Sequence, residues 1–416
     1  MADDTNQGGI AATILEKGGL RESMHARMHA DSTLTTDLSA IGRNASRFRR
    51  LAGTQTRLCG VIKADAYGLG AHAVAPVLEA ARWDMLAVHR IDEALTLLDH
   101  VRVPILVLGP VHGLSPMHPL AAPLAEGRVH LVVQDRASIE EAIALGQTMG
   151  RRIPVHLEID TAMGRGVPLD TAANLLRGML ADPRLDTAGV MTHFTTSADA
   201  DCTQVQYARF DNLLLPMRRR LPLTCRRHAA ATTATLRDPG TRADMVRIGL
   251  GWVGHAVGID APSIDGEPLE GAVTWTARIA SVRDVPAQTS LGYGGRFTCR
   301  TDTRIAMLSV GYADGLPTQA TGHAVRVLDD DGACVGAVPI VGTVAMDQVL
   351  LDVSSLPTTT VRRGTTVELF GPDSLPTCAS DMGLQPHHLL TSIGPRVHRR
   401  LIDAADALPT PATAAG

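Results

Sequence analysis

The chain lacks the features that mark several classes of protein. Its six cysteines are scattered and include no CxxC pair. They therefore predict neither a zinc site nor a dense disulfide framework, and they favour a reducing, cytoplasmic compartment. No apolar run reaches the length of about 18 residues that marks a membrane helix. The first residues have neither the basic start nor the apolar core of a secretion signal, so we expect neither a membrane span nor export.

An excess of positive charge is also missing. The formal net charge is -4 over 416 residues, and no basic face is evident in the sequence. A nucleic-acid partner is not expected, because binding to phosphates depends on clustered lysine and arginine. With 45% hydrophobic and 20% charged residues, the chain can bury a core of useful size. At roughly 100 to 200 residues per domain, its length predicts two or three domains.

Apolar runs alternate with helical periodicity from about Thr33, after a polar stretch that we interpret as a flexible extension. A capped amphipathic stretch at 37–51 comes first. Strands are predicted at 57–64, 85–88, 104–108, 130–133, 155–159, 187–193, 224–229 and 245–248. Helical segments fill most of the gaps, which predicts a (β/α)8 TIM-like barrel. The alternative, a doubly wound open sheet, would need a glycine-rich dinucleotide loop after the first strand, where Lys63 and Tyr67 stand instead.

The composition changes beyond about Pro262. Short β-rich runs separated by turn signals predict a separate, mostly-β domain, with runs at 272–285, 303–310, 324–328 and 361–369. A last helix is predicted around 381–390. The domain organisation that follows is an extension at 1–32, a barrel at 33–262, a β domain at 263–407 and a tail at 408–416.

Lys63 is the first candidate for chemistry. It stands in Val-Ile-Lys-Ala-Asp-Ala-Tyr-Gly-Leu-Gly (61–70), at the end of a predicted strand. An ammonium group that is partly removed from water has a lower pKa and becomes a nucleophile towards an aldehyde. Taken alone, a lysine whose stem covers apolar surface is the commoner interpretation. The flanking residues favour a lysine that holds a covalent cofactor.

The segment 61–70 resembles the pyridoxal 5'-phosphate (PLP) attachment site of alanine racemases. Further segments resemble the same family in the same order, so that the resemblance covers nearly all of 33–403. They are 156–165, 191–194, 228–235, 245–249, 291–294, 310–315 and 341–348. The resemblance implies a PLP-dependent amino-acid racemase, most simply one that interconverts L-alanine and D-alanine. It also implies a (β/α)8 barrel with a C-terminal β domain, and a homodimer.

The resemblance also implies a set of cofactor contacts. Tyr67, Thr232 and Gly249 would surround the phosphate, Arg165 would reach the phenolic oxygen and the substrate, and His193 would stack on the pyridine ring. Each has an ordinary structural alternative: His193 as a satisfied core histidine, for example, or Thr232 as a helix N-cap. The ordered set at predicted strand ends favours the functional interpretation.

Arg247 would face the pyridine nitrogen. An arginine is protonated at any physiological pH, so it donates a hydrogen bond and leaves that nitrogen without a proton of its own. The cofactor is then a weaker electron sink. That suits a racemase, which needs only a short-lived negative charge on its substrate. The alternative is an arginine in a surface ion pair.

Tyr293 is the second candidate acid–base group. Racemisation by two bases needs one group on each face of the reacting carbon. Lys63 serves one face, and a phenol with an ordinary pKa near 10 serves the other only if its surroundings ease deprotonation. The resemblance implies that Tyr293 comes from the neighbouring subunit and that Met346 and Asp347 line the substrate site. Without the resemblance, the simplest interpretation of Tyr293 is a buried tyrosine of a β-strand with a hydrogen-bonded hydroxyl.

The sequence departs from the family at several positions. Glu158 stands where many members have a lysine that is carbamylated, and a carboxylate already supplies the anion that would brace Arg165. Ala345 and Pro395 replace a cysteine and a substrate-pocket tyrosine, so the preference for alanine is less specific than the chemistry. A serine or broad-specificity racemase is the alternative within the class. A non-catalytic PLP-binding barrel protein is the alternative outside it.

Overall fold

The computed structural model describes residues 31–403. The predicted tail, and the predicted extension apart from its last two residues, lie outside this range. Eight parallel strands form a sheet: Arg57–Val61, Met85–Val88, Ile105–Val107, Val129–Val133, Ile153–Asp160, Leu185–Met191, Arg226–Ala231 and Met245–Ile248. The eighth strand pairs with the first, so the sheet closes on itself. The predicted (β/α)8 barrel is confirmed.

Helices connect and cover these strands. They are Leu38–Ala52, Ala71–Ala80, Ile91–Leu97, Ala121–Ala125, Arg136–Met149, Leu169–Ala181, Ala200–Leu214, Thr232–Arg237 and Leu250–Val253. Asp37 caps the first of these helices, because its side chain accepts a hydrogen bond from the Ala40 backbone N–H at 2.9 Å. The buried Ile41 and Phe48 of this helix face the barrel, each contributing about 1.5–3 kcal/mol relative to exposure. Within residues 31–403, no helix is long and apolar enough to cross a membrane.

The inside of the barrel is divided into an apolar and a polar part. Seven buried side chains form the apolar part: Cys59, Met85, Ala87, Leu106, Val132, Met191 and Met245. His156, Glu158, His228 and Arg247 are buried on the same inward face of their strands. The strand pairing is irregular beside both His156 and Arg247, and such bulges commonly re-aim side chains next to functional sites.

A second sheet forms the β domain. Its strands from the C-terminal part of the chain are Val273–Val285, Thr303–Leu308, Ala324–Leu328, Cys334–Val341, Val349–Asp352, Thr366–Phe370 and His398–Ile402. Ser32–Asp37, which precedes the barrel in the chain, also belongs to this sheet. It pairs antiparallel with Val273–Val285 and parallel with His398–Ile402. One short strand therefore ties the start of the barrel to the β domain.

Some predicted elements differ from the observed ones. The first barrel strand ends at Val61 rather than at 64, because a left-handed turn follows it. The run at 361–369 becomes a strand only at Thr366, after Gly364 turns the chain with a φ of +89°. The predicted helix at 381–390 is two helices, Leu375–Asp381 and Pro386–Ser392, with Gly383 between them at a φ of +70°.

Candidate active site

A cavity of about 420 Å³ opens at the carboxyl ends of the barrel strands. Active sites of such barrels lie at this end, where the loops after several strands meet. All seven residues predicted to bind the cofactor line the cavity: Lys63, Tyr67, Arg165, His193, Thr232, Arg247 and Gly249. Residues far apart in the chain are therefore brought together as the sequence predicts.

Lys63 begins an unusual turn at the end of the first barrel strand. The four residues from Ala64 to Tyr67 all have a positive φ, between 53° and 61°. None of them is a glycine, and left-handed backbone costs an ordinary residue roughly 1–2 kcal/mol. Strain of this kind persists only where the surrounding structure holds it, and it is concentrated at functional sites. The turn fixes the position and direction of the Lys63 side chain just beyond the end of the strand.

Glu93 is one group that holds this turn. One oxygen of its carboxylate accepts the backbone N–H of Ala64, the first left-handed residue, at 2.5 Å. The other oxygen accepts the backbone N–H groups of His89 and Arg90, both at 2.8 Å. A single carboxylate thus connects the turn that carries Lys63 to the end of the second barrel strand.

The surroundings of Lys63 favour its neutral amine. Burial lowers the pKa of Lys63 from the ordinary value of 10.5, and the positive charge of Arg165 lowers it further, while Glu93 acts in the opposite direction. A larger share of the amine is uncharged at neutral pH than in a lysine in water. The neutral form is the one that attacks an aldehyde or accepts a proton.

Three groups converge at the other end of the cavity. Tyr67 is buried and stacks on Trp252, with ring centroids 5.6 Å apart. A Cβ at Gly249 would lie 2.3 Å from the Tyr67 hydroxyl, so only glycine leaves room there. The Thr232 hydroxyl accepts the backbone N–H groups of Gly249 at 3.1 Å and Gly251 at 3.2 Å. Since the Thr232 oxygen accepts these bonds, its own proton and that of Tyr67 are two hydroxyl donors in this part of the cavity.

Arg247 is a buried cation held without a carboxylate. Its Nη atoms donate to the carbonyls of Thr192 at 2.8 Å, His228 at 3.1 Å and Ala229 at 3.1 Å. They also lie 3.0 Å from His228 Nδ1 and 3.1 Å from His193 Nδ1. Burial lowers the pKa of Arg247 to about 10, so the group stays protonated at neutral pH. All five contacts use Nη atoms, which leaves the Nε–H for a ligand.

His193 presents a neutral ring to the cavity. Burial and then the positive charges of Arg247, Arg165 and Lys63 lower the pKa of His193 to about 3. Because Arg247 donates to Nδ1, the single proton of the imidazole lies on Nε2. A flat, uncharged ring is well suited to stack on an aromatic cofactor.

Arg165 is held by the residue that departs from the family. Its Nε and Nη2 lie 2.9 Å and 2.8 Å from one oxygen of Glu158, which is 1% exposed. Gln134 donates to the other oxygen at 2.7 Å. A Cβ at Gly166 would lie 2.7 Å from the Glu158 carbonyl, so glycine lets the chain pass close to it. The contacts fit the predicted bracing of Arg165, and its role in catalysis remains a prediction.

The β domain does not bring its candidates to the cavity of the same chain. Tyr293, Met346 and Asp347 are absent from the cavity wall. The Tyr293 side of the domain is open, with Tyr293 74% exposed and Met346 51% exposed. Asp347 accepts a hydrogen bond from Arg396 at 2.7 Å. A single chain therefore assembles the predicted cofactor set but not the predicted second acid–base group.

Other cavity residues were not predicted from the sequence. His89 follows the second barrel strand, and His387 reaches the cavity from the β-domain helix Pro386–Ser392. His156 does not line the cavity, but the period of two along a strand could have flagged it as an inward-facing polar residue, because it shares that face with Glu158. No sequence pattern marks His387. Pro395, expected to change the substrate pocket, is exposed and does not line the cavity of its own chain.

Comparison with known proteins identifies the family. The model of the alanine racemase N-terminal domain matches residues 36–257, and that of the alanine racemase C-terminal domain matches residues 272–401. The chain belongs to the alanine racemase family. An alanine racemase of Desulfosudis oleivorans is 32% identical over 87% of this chain and 94% of its own length. One from Chlorobaculum tepidum is 34% identical over 88% of this chain and 94% of its own length.

Solved structures of the family share the fold. Alanine racemase from Bartonella henselae, with covalently bound pyridoxal phosphate, superposes with a TM-score of 0.77 at 28% identity. The match covers 90% of this chain and all of that one. Alanine racemase from Bacillus anthracis, with bound L-Ala-P, has a TM-score of 0.77 at 30% identity, over 90% of this chain and 95% of that one.

Proposed function

We propose that this chain, a PLP-dependent alanine racemase by its family, interconverts L-alanine and D-alanine with Lys63 and Tyr293 as its two acid–base groups. One observation carries the proposal. Lys63, with a lowered pKa, stands at a strand end in a cavity that gathers the whole predicted cofactor set. We further propose that the enzyme acts as a cytoplasmic homodimer and that the barrel and β domain divide near residue 262.

The residues of the cavity fit PLP. A Cβ at position 249 would displace the Tyr67 hydroxyl, and the hydroxyls of Tyr67 and Thr232, two residues that line the cavity, suit a phosphate. Burial raises the pKa of Tyr67, so its hydroxyl remains a donor at neutral pH. Lys63 would hold the aldehyde carbon, and the Nε–H of Arg247 would meet the ring nitrogen. His193 would lie against the ring.

When bound, PLP withdraws electrons from the α-carbon of the amino acid and weakens its bond to hydrogen. The protein supplies the groups that move the proton. Lys63 Nζ accepts or returns the proton on one face, and the Tyr293 hydroxyl does so on the opposite face. Which of the two abstracts depends on whether L-alanine or D-alanine is bound.

Two arginines complete the proposed roles. Arg247 would donate a hydrogen bond to the ring nitrogen and keep its own proton, which would limit electron withdrawal and favour prompt return of the proton to the substrate. Arg165 is held by Glu158. It would present a positive charge to the cofactor's phenolic oxygen and to the substrate. Met346 and Asp347 would line the substrate side of the site.

The second acid–base group requires another copy of the chain. Tyr293 is exposed and lies outside the cavity of its own chain. A two-fold dimer would place the Tyr293 side of each β domain at the cavity of its partner, and the arrangement is reciprocal. We therefore propose two composite sites per dimer, each with Lys63 from one subunit and Tyr293 from the other.

The cofactor assignment is tested by chemical labelling. Borohydride reduction of the PLP-loaded protein, followed by peptide mapping, should place the label on Lys63. Lys63→Ala is the control that should carry no label. A label on another lysine, or a protein that develops no visible absorbance with PLP, would reject the assignment.

The composite site is tested by mixing two inactive variants. Lys63→Ala and Tyr293→Phe subunits should each be nearly inactive, yet a mixed dimer has one site with both residues intact. Random exchange of equal amounts makes half of the dimers mixed, so activity should reach about a quarter of the wild-type value. Failure to recover activity, with exchange shown by a subunit label, would place both residues in one chain or reject the site.

A further inference from the structure

Three histidines form a hydrogen-bonded chain through the barrel. His228 Nδ1 lies 3.0 Å from Arg247 Nη1, and His228 Nε2 lies 2.9 Å from His156 Nδ1. His156 Nε2 lies 3.0 Å from His130 Nδ1. His156 and His228 are buried, while His130 is half-buried near the amino end of the fourth barrel strand. The chain thus runs from the cavity towards the opposite end of the barrel.

The donors and acceptors in this chain have only one consistent direction while the imidazoles are neutral. The guanidinium of Arg247 can only donate, so His228 accepts at Nδ1 and must carry its proton on Nε2. His228 then donates to His156 Nδ1, which places the proton of His156 on Nε2 as well. His156 donates from Nε2 to His130 Nδ1 in turn, so the proton of His130 also lies on Nε2. Arg247 therefore sets the tautomer of three successive rings.

The barrel is built to accommodate this chain. A Cβ at position 189 would lie 2.2 Å from His156 Nδ1, so Gly189 in the neighbouring strand makes room for the ring. The pairing of these two strands shifts register between Val155 and His156. Burial and nearby positive charge lower the pKa of His156 and His228, and burial lowers that of His130 against the opposing charge of Asp186. Each ring is thus kept neutral, as the chain requires.

We propose that His130 and His156 are positioning residues that act through His228 to hold Arg247 at the floor of the cofactor cavity. All three rings direct their Nδ1 lone pairs towards the guanidinium, and hydrogen bonds aligned in this way polarise one another. The three histidines thereby help to compensate a buried cation that donates to no carboxylate and that the negative charge of Glu158 reaches only through space. The catalytic part of the inference rests on the proposed role of Arg247.

The tautomers can be measured without cofactor or substrate. In cofactor-free protein labelled with ¹⁵N-histidine, NMR at neutral pH should show His130, His156 and His228 as neutral rings with the proton on Nε2. Each ¹⁵N signal would be assigned by its loss from a variant in which that one histidine is replaced. A proton on Nδ1 of any of the three, or a doubly protonated ring, overturns the proposal. This result is independent of whether Lys63 and Tyr293 act as proposed.

A matched pair of variants tests the far end of the chain. His130→Asn keeps an acceptor near the position of Nδ1, whereas His130→Leu removes it. In His130→Asn, the ¹⁵N signals of His156 and His228 should stay close to those of the wild type. In His130→Leu they should move, because His156 loses its acceptor. Equal spectra for the two variants would overturn the proposal that His130 is part of the series of hydrogen-bonded histidines. His100→Leu, at an exposed histidine, is the control for a general effect.

His156→Leu breaks the chain in the middle. Removing a hydrogen bond that serves a buried charge should lower kcat by roughly 10-fold to 100-fold. It should also shift the visible absorption band of the PLP-loaded protein, because Arg247 is proposed to donate to the pyridine nitrogen of PLP and a displaced Arg247 would change that contact. Gly189→Ala should displace the His156 ring while keeping the residue, and should have the same effects in smaller measure. Unchanged absorption bands and unchanged kcat in folded His156→Leu and Gly189→Ala proteins overturn the proposal.

Discussion

The mouth of the barrel and the Tyr293 side of the β domain stand in contrast. At the barrel mouth, Lys63, Arg165 and Arg247 are oriented by carboxylates, carbonyls and imidazoles, and they meet in one cavity. On the β domain, Tyr293 and Met346 are exposed. The first region is assembled within one chain. The second leaves its candidate side chains outside the cavity of the single chain.

This difference separates two tasks. Holding a cofactor needs many groups at fixed distances, and a barrel whose strand ends converge supplies them within a single chain. Delivering one acid–base group to the opposite face needs only one well-placed side chain. In the proposed dimer, the exposed Tyr293 would provide that group to the second copy. Cofactor binding should then depend on the barrel mouth, and proton transfer on both regions.

Tyr293→Phe gives the sharpest separation of the two regions. PLP should still bind, because the barrel mouth is unchanged, while racemisation should fall by about 10²-fold to 10⁴-fold, the contribution of a positioned acid or base. The fall should be similar in both directions, since each direction needs both groups. The visible spectrum and the rates of L-to-D and D-to-L conversion are the measurements. Loss of PLP binding would mean that the two regions are not separable.

Tyr312→Phe is the matched control for this change. Tyr312 is also an exposed tyrosine of the β domain, 46% exposed. We expect a smaller effect than for Tyr293→Phe, because no proton transfer is assigned to it. An equal loss in both variants would assign the effect to the surface in general rather than to the Tyr293 hydroxyl.

Variants of Glu158 test whether catalysis depends on the carboxylate that holds Arg165 at the barrel mouth. Glu158→Leu removes the anion that holds Arg165, and kcat/KM should fall by roughly 10-fold to 100-fold, the range expected for hydrogen bonds between charged groups. Glu158→Gln keeps an acceptor and should lose less. Because a carboxylate needs no modification, wild-type activity should not depend on added bicarbonate. Activity of Glu158→Lys should depend on it. Bicarbonate dependence of the wild type would contradict this role.

The fold was predictable from the sequence to a large extent. The eight barrel strands and their closure follow from apolar runs at regular spacing, and the strand at 85–88 was predicted to the residue. The strand Ser32–Asp37 was missed, because its pairing partners lie more than 230 residues away in the chain. Cys334–Val341 was also missed, because its first four residues are exposed or half-buried and it contains Gly336 and Pro339, which weaken the local strand signal.

The meeting of the barrel candidates in one cavity was predictable, because Lys63 and Arg247 stand in segments that resemble those of the family in order. The acid–base role of Tyr293, which lies outside that cavity, stays a prediction. Glu93 was not predictable, because its contact to the turn depends on backbone N–H groups that meet only in the folded barrel. The left-handed turn itself was also missed, since Ala64 to Tyr67 contain no glycine to announce a positive φ.

The range of amino acids that the enzyme accepts depends on both regions, because the barrel mouth and the Tyr293 side of the β domain would both contact the substrate. Ala345 and Pro395 replace a cysteine and a tyrosine of many family members, and we expect the site to accept serine or somewhat larger amino acids measurably. Small differences in side-chain size change kcat/KM by on the order of 10-fold to 200-fold. A racemisation assay over a panel of L-amino acids is the measurement. Activity on serine with none on alanine would favour the serine racemase alternative.

The smallest expected effect concerns the charge of Lys63. In cofactor-free protein, the rate of PLP attachment should rise with pH and level off above an inflection that lies below the ordinary lysine value of 10.5, because burial and Arg165 both lower the pKa. Arg165→Gln removes one positive charge, so the amine holds its proton more tightly. The inflection should then move to higher pH, because one of the two causes that lower the pKa of Lys63 is removed. Arg136→Gln, at an exposed arginine outside the cavity, should leave it in place. An inflection at or above 10.5 in the wild type, or no upward movement in Arg165→Gln, would mean that the barrel mouth does not prepare Lys63 for attack before the cofactor arrives.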